Sequence, residues 1–228
     1  KPFVNTIQNR SKWMNSVVAE IDSSSLDSIR AFQFVENLKF LAPGLPESSK
    51  ENHKGIQSKD TSKLEEETMV TDSVFYGYSW SPINMLNGHL LHENNYRGKN
   101  MIIAVLDAGF KNVDKLPVFR HMRENNQLLG VRDFEENDKQ VFDRHNHGTM
   151  VLSLMAGYLP EIYIGTAPKA DYWLLRTEVG GSEYLIEEYN WIAAAEFADS
   201  AGADIINSSL GYTTFDDSTQ DHTFKDLN

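Results

Sequence analysis

The 228-residue chain contains no cysteine. Disulfides, thiolate metal sites and cysteine nucleophiles are therefore excluded, while the compartment is left open. Positive charge is also short: 21 Lys and Arg against 33 Asp and Glu give a formal net charge of −12. Binding a phosphate backbone needs a basic face, so no nucleic-acid partner is expected, and neutral or cationic partners fit better. No apolar run approaches the roughly 18 residues of a membrane span. The opening KPFVNTIQNR is not a signal peptide. What is present is an ordinary globular composition, 40% hydrophobic and 11% aromatic, enough for one sizeable core with room for a small extra domain.

Periodicity divides the chain into three parts. In residues 1–44, strand-like alternation around Val17 and Val18 precedes a helix capped near Ser24 or Ser25, with Leu26 and Ile29 on its apolar face. FQFVENLKFL then reads as a second short strand. Residues 45–72 hold no aromatic and few large apolar groups, which predicts a flexible linker and a favoured site of proteolytic processing. Beyond Ser73 the pattern tightens. MIIAVLD, YWLLRT and ADIINSSL read as strands buried on both faces, separated by helices over 148–157 and about 184–200. The class expected is α/β: a three-layer, mostly parallel, doubly wound sheet over 73–228, preceded by a small α+β module.

The segment HNHGTMV carries two histidines, His145 and His147, before a helix start. Residues two apart share a direction only on a strand, and no acidic neighbour completes a ligand set, so no metal is assigned. A histidine packed at a helix end is the structural alternative. Asp107 closes a buried strand and is followed by the small Ala108 and Gly109. Alone it reads equally as a turn former. Paired with an imidazole, it would fix the tautomer and support the cation formed in proton transfer. INSSLGY places Ser209, Leu210 and Gly211 at another strand end, where backbone can meet an extended peptide.

AVLDAGF, HNHGTMVLSLMAG and ADIINSSLGY resemble, in that order, the aspartate, histidine and substrate-strand motifs of the subtilisin-like serine peptidases, and GTAPKADYWLLRTE matches a fourth segment. The resemblance implies a serine endopeptidase acting by acyl transfer on peptide or protein substrates, with Asp107 orienting the base and His147 as general base and acid. It makes Ser209, Leu210 and Gly211 part of the substrate-binding strand, and Gly180 and Gly181 the other side of the groove; His145 receives no catalytic role. Residues 1–44 are similar to the C-terminal half of an inhibitory propeptide, implying a zymogen that is secreted, periplasmic or at the cell surface. Structural calcium is common in such relatives, but no ligand series here assigns a site, and no other cofactor is implied. Glu183, Glu187 and Glu188 either attract basic peptide side chains or sit where a helix dipole favours acids, and the second reading is the stronger.

The Gly-Thr-Ser nucleophile motif and the oxyanion asparagine of that family do not occur in these residues. The expectation is a piece of a longer protein, whose remaining C-terminal segment carries the serine. The alternative is a non-catalytic protein of the same fold that binds peptides or partners.

Overall fold

The computed structural model describes residues 3–43, 73–223 and 225. The linker predicted over 45–72 lies outside the described residues. At the N-terminal end, β1 (Thr6–Ser11) and β2 (Ser16–Glu20) form an antiparallel hairpin, and a 3₁₀ turn leads into α1 (Leu26–Arg30), which buries Ile29. Ser25 stands at the helix start without a side-chain capping bond. FQFVENLKFL is not a strand: the chain turns at 31–34 and then runs irregularly, with Phe34 and Phe40 exposed. The partner of β2 is instead TIQNRS, which the hydrophobic pattern does not reveal. Its inward residue is the polar Asn9, while its apolar Ile7 is exposed.

Three short helices follow: α2 (Ser73–Tyr76), α3 (Trp80–Met85) and α4 (Gly88–Glu93). They bury Tyr76, Ile83 and His92. His92 joins them to the rest of the chain, with Nδ1 3.0 Å from the Tyr76 hydroxyl and Nε2 2.9 Å from the Thr166 carbonyl oxygen.

The larger unit then runs β3 (Ile102–Asp107), α5 (Arg120–Glu124), β4 (Leu128–Asp133), α6 (His147–Ala156), the two-residue strands β5 (Tyr158–Leu159) and β6 (Tyr163–Ile164), β7 (Asp171–Arg176), α7 (Ile186–Ser200) and β8 (Ile205–Ser208). β5 and β6 pair as a small antiparallel ribbon. The main sheet is parallel throughout, in the order β4–β7–β3–β8. Side chains alternate across a strand, so Ile103 and Val105 of β3, with Tyr172 and Leu174 of β7, meet Leu152 and Ala156 of α6. Ala104, Leu106 and Leu175 face Ala194, Ala195 and Ala198 of α7 on the opposite side. Helices on both faces of a parallel sheet make the three-layer α/β architecture. The expected continuous apolar runs of β3 and β7 arise because neither face reaches water. β4 was not legible in the same way, since LLGVRD breaks its apolar run with a glycine that lies against the ring of Trp173.

The hairpin docks on the outer side of α7. The Ser11 hydroxyl and the backbone N–H groups of Lys12 and Trp13 donate to the Glu196 carboxylate at 2.9–3.2 Å. Further along β1, Asn9 Nδ2 donates to the Phe134 carbonyl and to Asn190 Oδ1 at 2.8 and 2.6 Å.

Candidate active site

In a doubly wound sheet the groove lies beyond the carboxyl ends of the strands, where successive helices cross to opposite faces. β3 lies between β7 and β8 and ends in Asp107 at that position. Asp107 is fully buried and accepts from the Ala108 N–H at 2.8 Å. His147 is the first residue of α6, and its Nδ1 stands 2.9 and 3.0 Å from the two Asp107 carboxylate oxygens. Burial raises the pKa of Asp107, and the hydrogen bonds from His147 and Ala108 act against it. The imidazole is 39% exposed while its carboxylate partner is dry. One ring nitrogen is thus anchored inside the protein and the other edge of the ring faces the cleft.

Two glycines make this approach feasible. A Cβ on Gly148 would lie 2.5 Å from the Gly109 carbonyl oxygen and 2.8 Å from the Asp107 Cβ, so α6 can come this close to β3 only without a side chain there. A Cβ on Gly180 would lie 2.5 Å from the His145 ring. The close approach at Gly180 is therefore to an imidazole of this chain. His145 in turn accepts the His147 backbone N–H on Nδ1 at 3.2 Å, which makes it part of the support for His147.

A shallow cleft of about 250 Å³ opens beside this pair, lined by Ala108, His145, His147, Glu178, Gly180, Glu183, Ser209, Leu210 and Gly211. The structure thus brings Asp107, His147, Gly180 and the 209–211 segment together. Gly181 is outside the lining, with φ +135° and open space around it. Ser208, one residue before the segment, accepts a hydrogen bond from Trp191 Nε1 at 2.9 Å on the α7 side.

The acids after β7 behave differently from one another. Glu187 and Glu188 both stand in the first turn of α7, the position a helix dipole favours. Glu187, however, is only 1% exposed and accepts from the Val179 N–H at 3.1 Å; burial, with Glu183 and Glu178 nearby, raises its pKa. Glu188 meets His222 Nε2 at 2.8 Å. Glu178 was not singled out from the sequence. Burial first, then the charges of Asp107 and Glu183, push its carboxyl up to about 7. The available signal was its place two residues past the end of a buried strand. Among the described residues no three His, Asp or Glu side chains are arranged to hold a metal ion.

Residues 98–226 match the Subtilase family. The chain is 30% identical over 146 residues to Subtilisin E of Bacillus subtilis (strain 168), covering 62% of this chain and 34% of that protein. Identity is likewise 30% to Subtilisin NAT of Bacillus subtilis subsp. natto, with the same coverage. It is 29% over 143 residues to Subtilisin J of Geobacillus stearothermophilus, covering 61% of this chain and 33% of that protein. The chain spans about a third of the length of these relatives.

Proposed function

Because the chain belongs to the subtilase family, we propose that the whole protein is a serine endopeptidase in which Asp107 and His147 are two members of the triad. The observation that carries this reading is the short Nδ1 contact of His147 with a buried carboxylate at the mouth of a cleft. Asp107 holds Nδ1 and so directs Nε2 toward the nucleophile, and it stabilises the imidazolium. In acylation the serine oxygen bonds to the peptide carbonyl carbon while His147 takes the hydroxyl proton; His147 then gives that proton to the departing amine as the C–N bond breaks. Water repeats the sequence and frees the acid. The serine is assigned to polypeptide outside these 228 residues, since Ser208 is engaged by Trp191 and neither Ser182 nor Ser209 has the required context. Ile205 and Ile206 of β8 are 47% and 38% exposed on the outer edge of the sheet, a surface that a further strand of the same protein would cover.

The substrate is assigned to the space between Gly180–Gly181 and Ser209–Gly211, with a peptide adding as an extended strand. Residues 1–44 act in this reading as the inhibitory propeptide module. Phe40, Leu41, Ala42 and Pro43 line a groove with Tyr184, Asp216, Asp217 and Gln220 of the larger unit. Residues 45–72 carry the processing site, and secretion follows from the same zymogen logic. No helix among the described residues is long and apolar enough to cross a membrane. Structural calcium, common in such relatives, is assigned to no site in this chain, and the acyl-transfer steps above are written without it.

The test is turnover of a peptide substrate by the whole protein. His147→Ala should lower kcat by about 10⁶, the loss found when a subtilisin triad histidine is removed, and Asp107→Asn by about 10⁴ through the wrong tautomer. Near-normal turnover by either folded variant would falsify the assignment.

A further inference from the structure

The contact between the N-terminal hairpin and the larger unit contains a buried carboxyl group that the peptidase reading does not use. Glu135 follows β4 and is 5% exposed. Asn190 of α7 donates through Nδ2 to Glu135 Oε2 at 2.5 Å, and Asn190 Oδ1 accepts from Asn9 of β1 at 2.6 Å. A three-residue chain of side chains thus runs from the hairpin, through the helix, to the carboxyl. Asn9 and Asn190 are themselves buried. The backbone is tied at the same place: Gln8 Nε2 donates to the Glu135 carbonyl at 2.7 Å, and the Asn137 side chain donates to the Gln8 carbonyl.

Nothing in this arrangement supplies Glu135 with a dedicated counter-charge. Arg176 of β7 is the cation facing it, but Arg176 Nη1 lies 2.6 Å from Asp133 Oδ2, and its Nε donates to the Ala108 carbonyl at 3.2 Å. Asp133, the last residue of β4, and Glu136 in the loop after it add negative charge, and Arg144 is held by Glu136 at 2.6 Å. From α7 the carboxyl meets the neutral Asn190, and β1 reaches it only through Asn9 on Asn190, while Gln8 bonds the Glu135 backbone carbonyl. Glu135 Oε1 is buried with no hydrogen-bond partner. An ionised oxygen in that position is costly, whereas a neutral carboxyl is tolerated.

We propose that the Asn9–Asn190–Glu135 chain is a proton-dependent latch, which holds the N-terminal hairpin on the larger unit while Glu135 is protonated and loosens when Glu135 ionises. Lifting β1 off removes Asn9 from Asn190 and lets water reach the carboxyl, so the open state ionises more readily than the closed one. Burial pushes the docked Glu135 up to about 7, from an ordinary value of 4.5. The sign follows from linkage. A group whose pKa is higher in the docked state favours docking fully below its ordinary pKa, and that contribution is lost as pH rises through the docked value. The latch is therefore closed at weakly acidic pH and loosest above neutrality. It acts on the hairpin and does not depend on what the cleft catalyses.

The test is amide hydrogen exchange of β1 and β2 in the full chain from pH 5 to 8, with the intrinsic pH dependence of exchange divided out. The opening equilibrium of the wild type should rise with pH, by up to about tenfold per unit between 5 and 7, and level off above. Glu135→Gln, which keeps the shape without the ionisation, should give a flat profile at the closed level. A flat wild-type profile, or an undiminished slope in Glu135→Gln, overturns the latch. A carbon-13 titration of the Glu135 carboxyl in the unmodified protein tests it without a substitution: a midpoint near 7 supports the latch, and a midpoint in the ordinary carboxylate range overturns it.

Discussion

Gly148 shows how one missing side chain shapes the site. In an exposed helix, Gly→Ala stabilises by roughly 0.5–1 kcal/mol because glycine loses more backbone entropy on folding. Here the added carbon meets the Gly109 carbonyl oxygen at 2.5 Å and the Asp107 Cβ at 2.8 Å, and neither is the end of a flexible side chain. Overpacking of this kind costs about 1–3 kcal/mol, more than the helix preference returns. Gly148→Ala should therefore lower the urea midpoint and draw His147 away from Asp107, and under the proposed peptidase function it should cut turnover. A stabilised, fully active variant would contradict the packing argument. At this scale periodicity marked only the strand end at Asp107 and the helix start at His147, each open to a purely structural role, and it was the motif resemblance that singled the two out. His145 and Glu178 were not legible, because their importance comes from neighbours distant in sequence: Gly180 against the His145 ring, and Asp107 beside Glu178.

Between elements, the joints rest on single carboxylates. Burial pushes the pKa of Glu196 up, but hydrogen bonds from the Trp13 N–H, the Ser11 hydroxyl and the Lys12 N–H outweigh it and hold the carboxylate below its usual range. A depressed acid contributes to docking above its ordinary pKa, and the contribution is lost as pH falls through the lowered value. Glu196→Gln should weaken β1–β2 protection at neutral pH and remove the acid-side loosening, the first read by hydrogen exchange at pH 7 and the second by its pH dependence below pH 5. An acid limb that survives in the variant would place the effect elsewhere. Between β4 and β7 the joint is Asp133, which accepts from the Glu135 and Glu136 N–H groups on one oxygen and from Arg176 on the other. Both side chains of that ion pair are buried. Asp133→Ala leaves the buried Arg176 guanidinium with only its longer 3.5 Å ion pair to Glu136, and the expected loss is about 3–5 kcal/mol in chemical denaturation. A loss under about 1 kcal/mol would mean that Glu136 takes over the pairing.

Across the whole molecule, burial pushes three glutamates in the same direction. Burial raises Glu135 and Glu178 to about 7 and also raises Glu187, in a chain whose formal charge is already −12. Each raised acid contributes stability below its ordinary pKa that is lost as pH rises through the folded-state value. The thermal midpoint should accordingly fall between pH 5.5 and 8, and the double variant Glu135→Gln, Glu178→Gln should flatten that fall. A midpoint that rises over the same interval would show that another titration dominates.

The sequence by itself determined the parallel sheet and the place of its groove. The long apolar run IIAVL can be buried only between two helical layers, and it ends in Asp107; the run ADIINSSL, which includes Ser209 and was expected to be buried on both faces, instead forms the edge strand β8 with Ile205 and Ile206 exposed. It did not determine the N-terminal pairing, where FQFVENLKFL has the composition of a strand and TIQNRS forms one. That choice was made by partners far along the chain, with Asn9 meeting Phe134 and Asn190 and the β1–β2 turn meeting Glu196. Polar groups of this kind leave no hydrophobic period to read. The titration of Glu135, Glu178 and Glu187 likewise belongs to tertiary structure, because desolvation depends on what packs around a carboxyl and not on its neighbours in the chain.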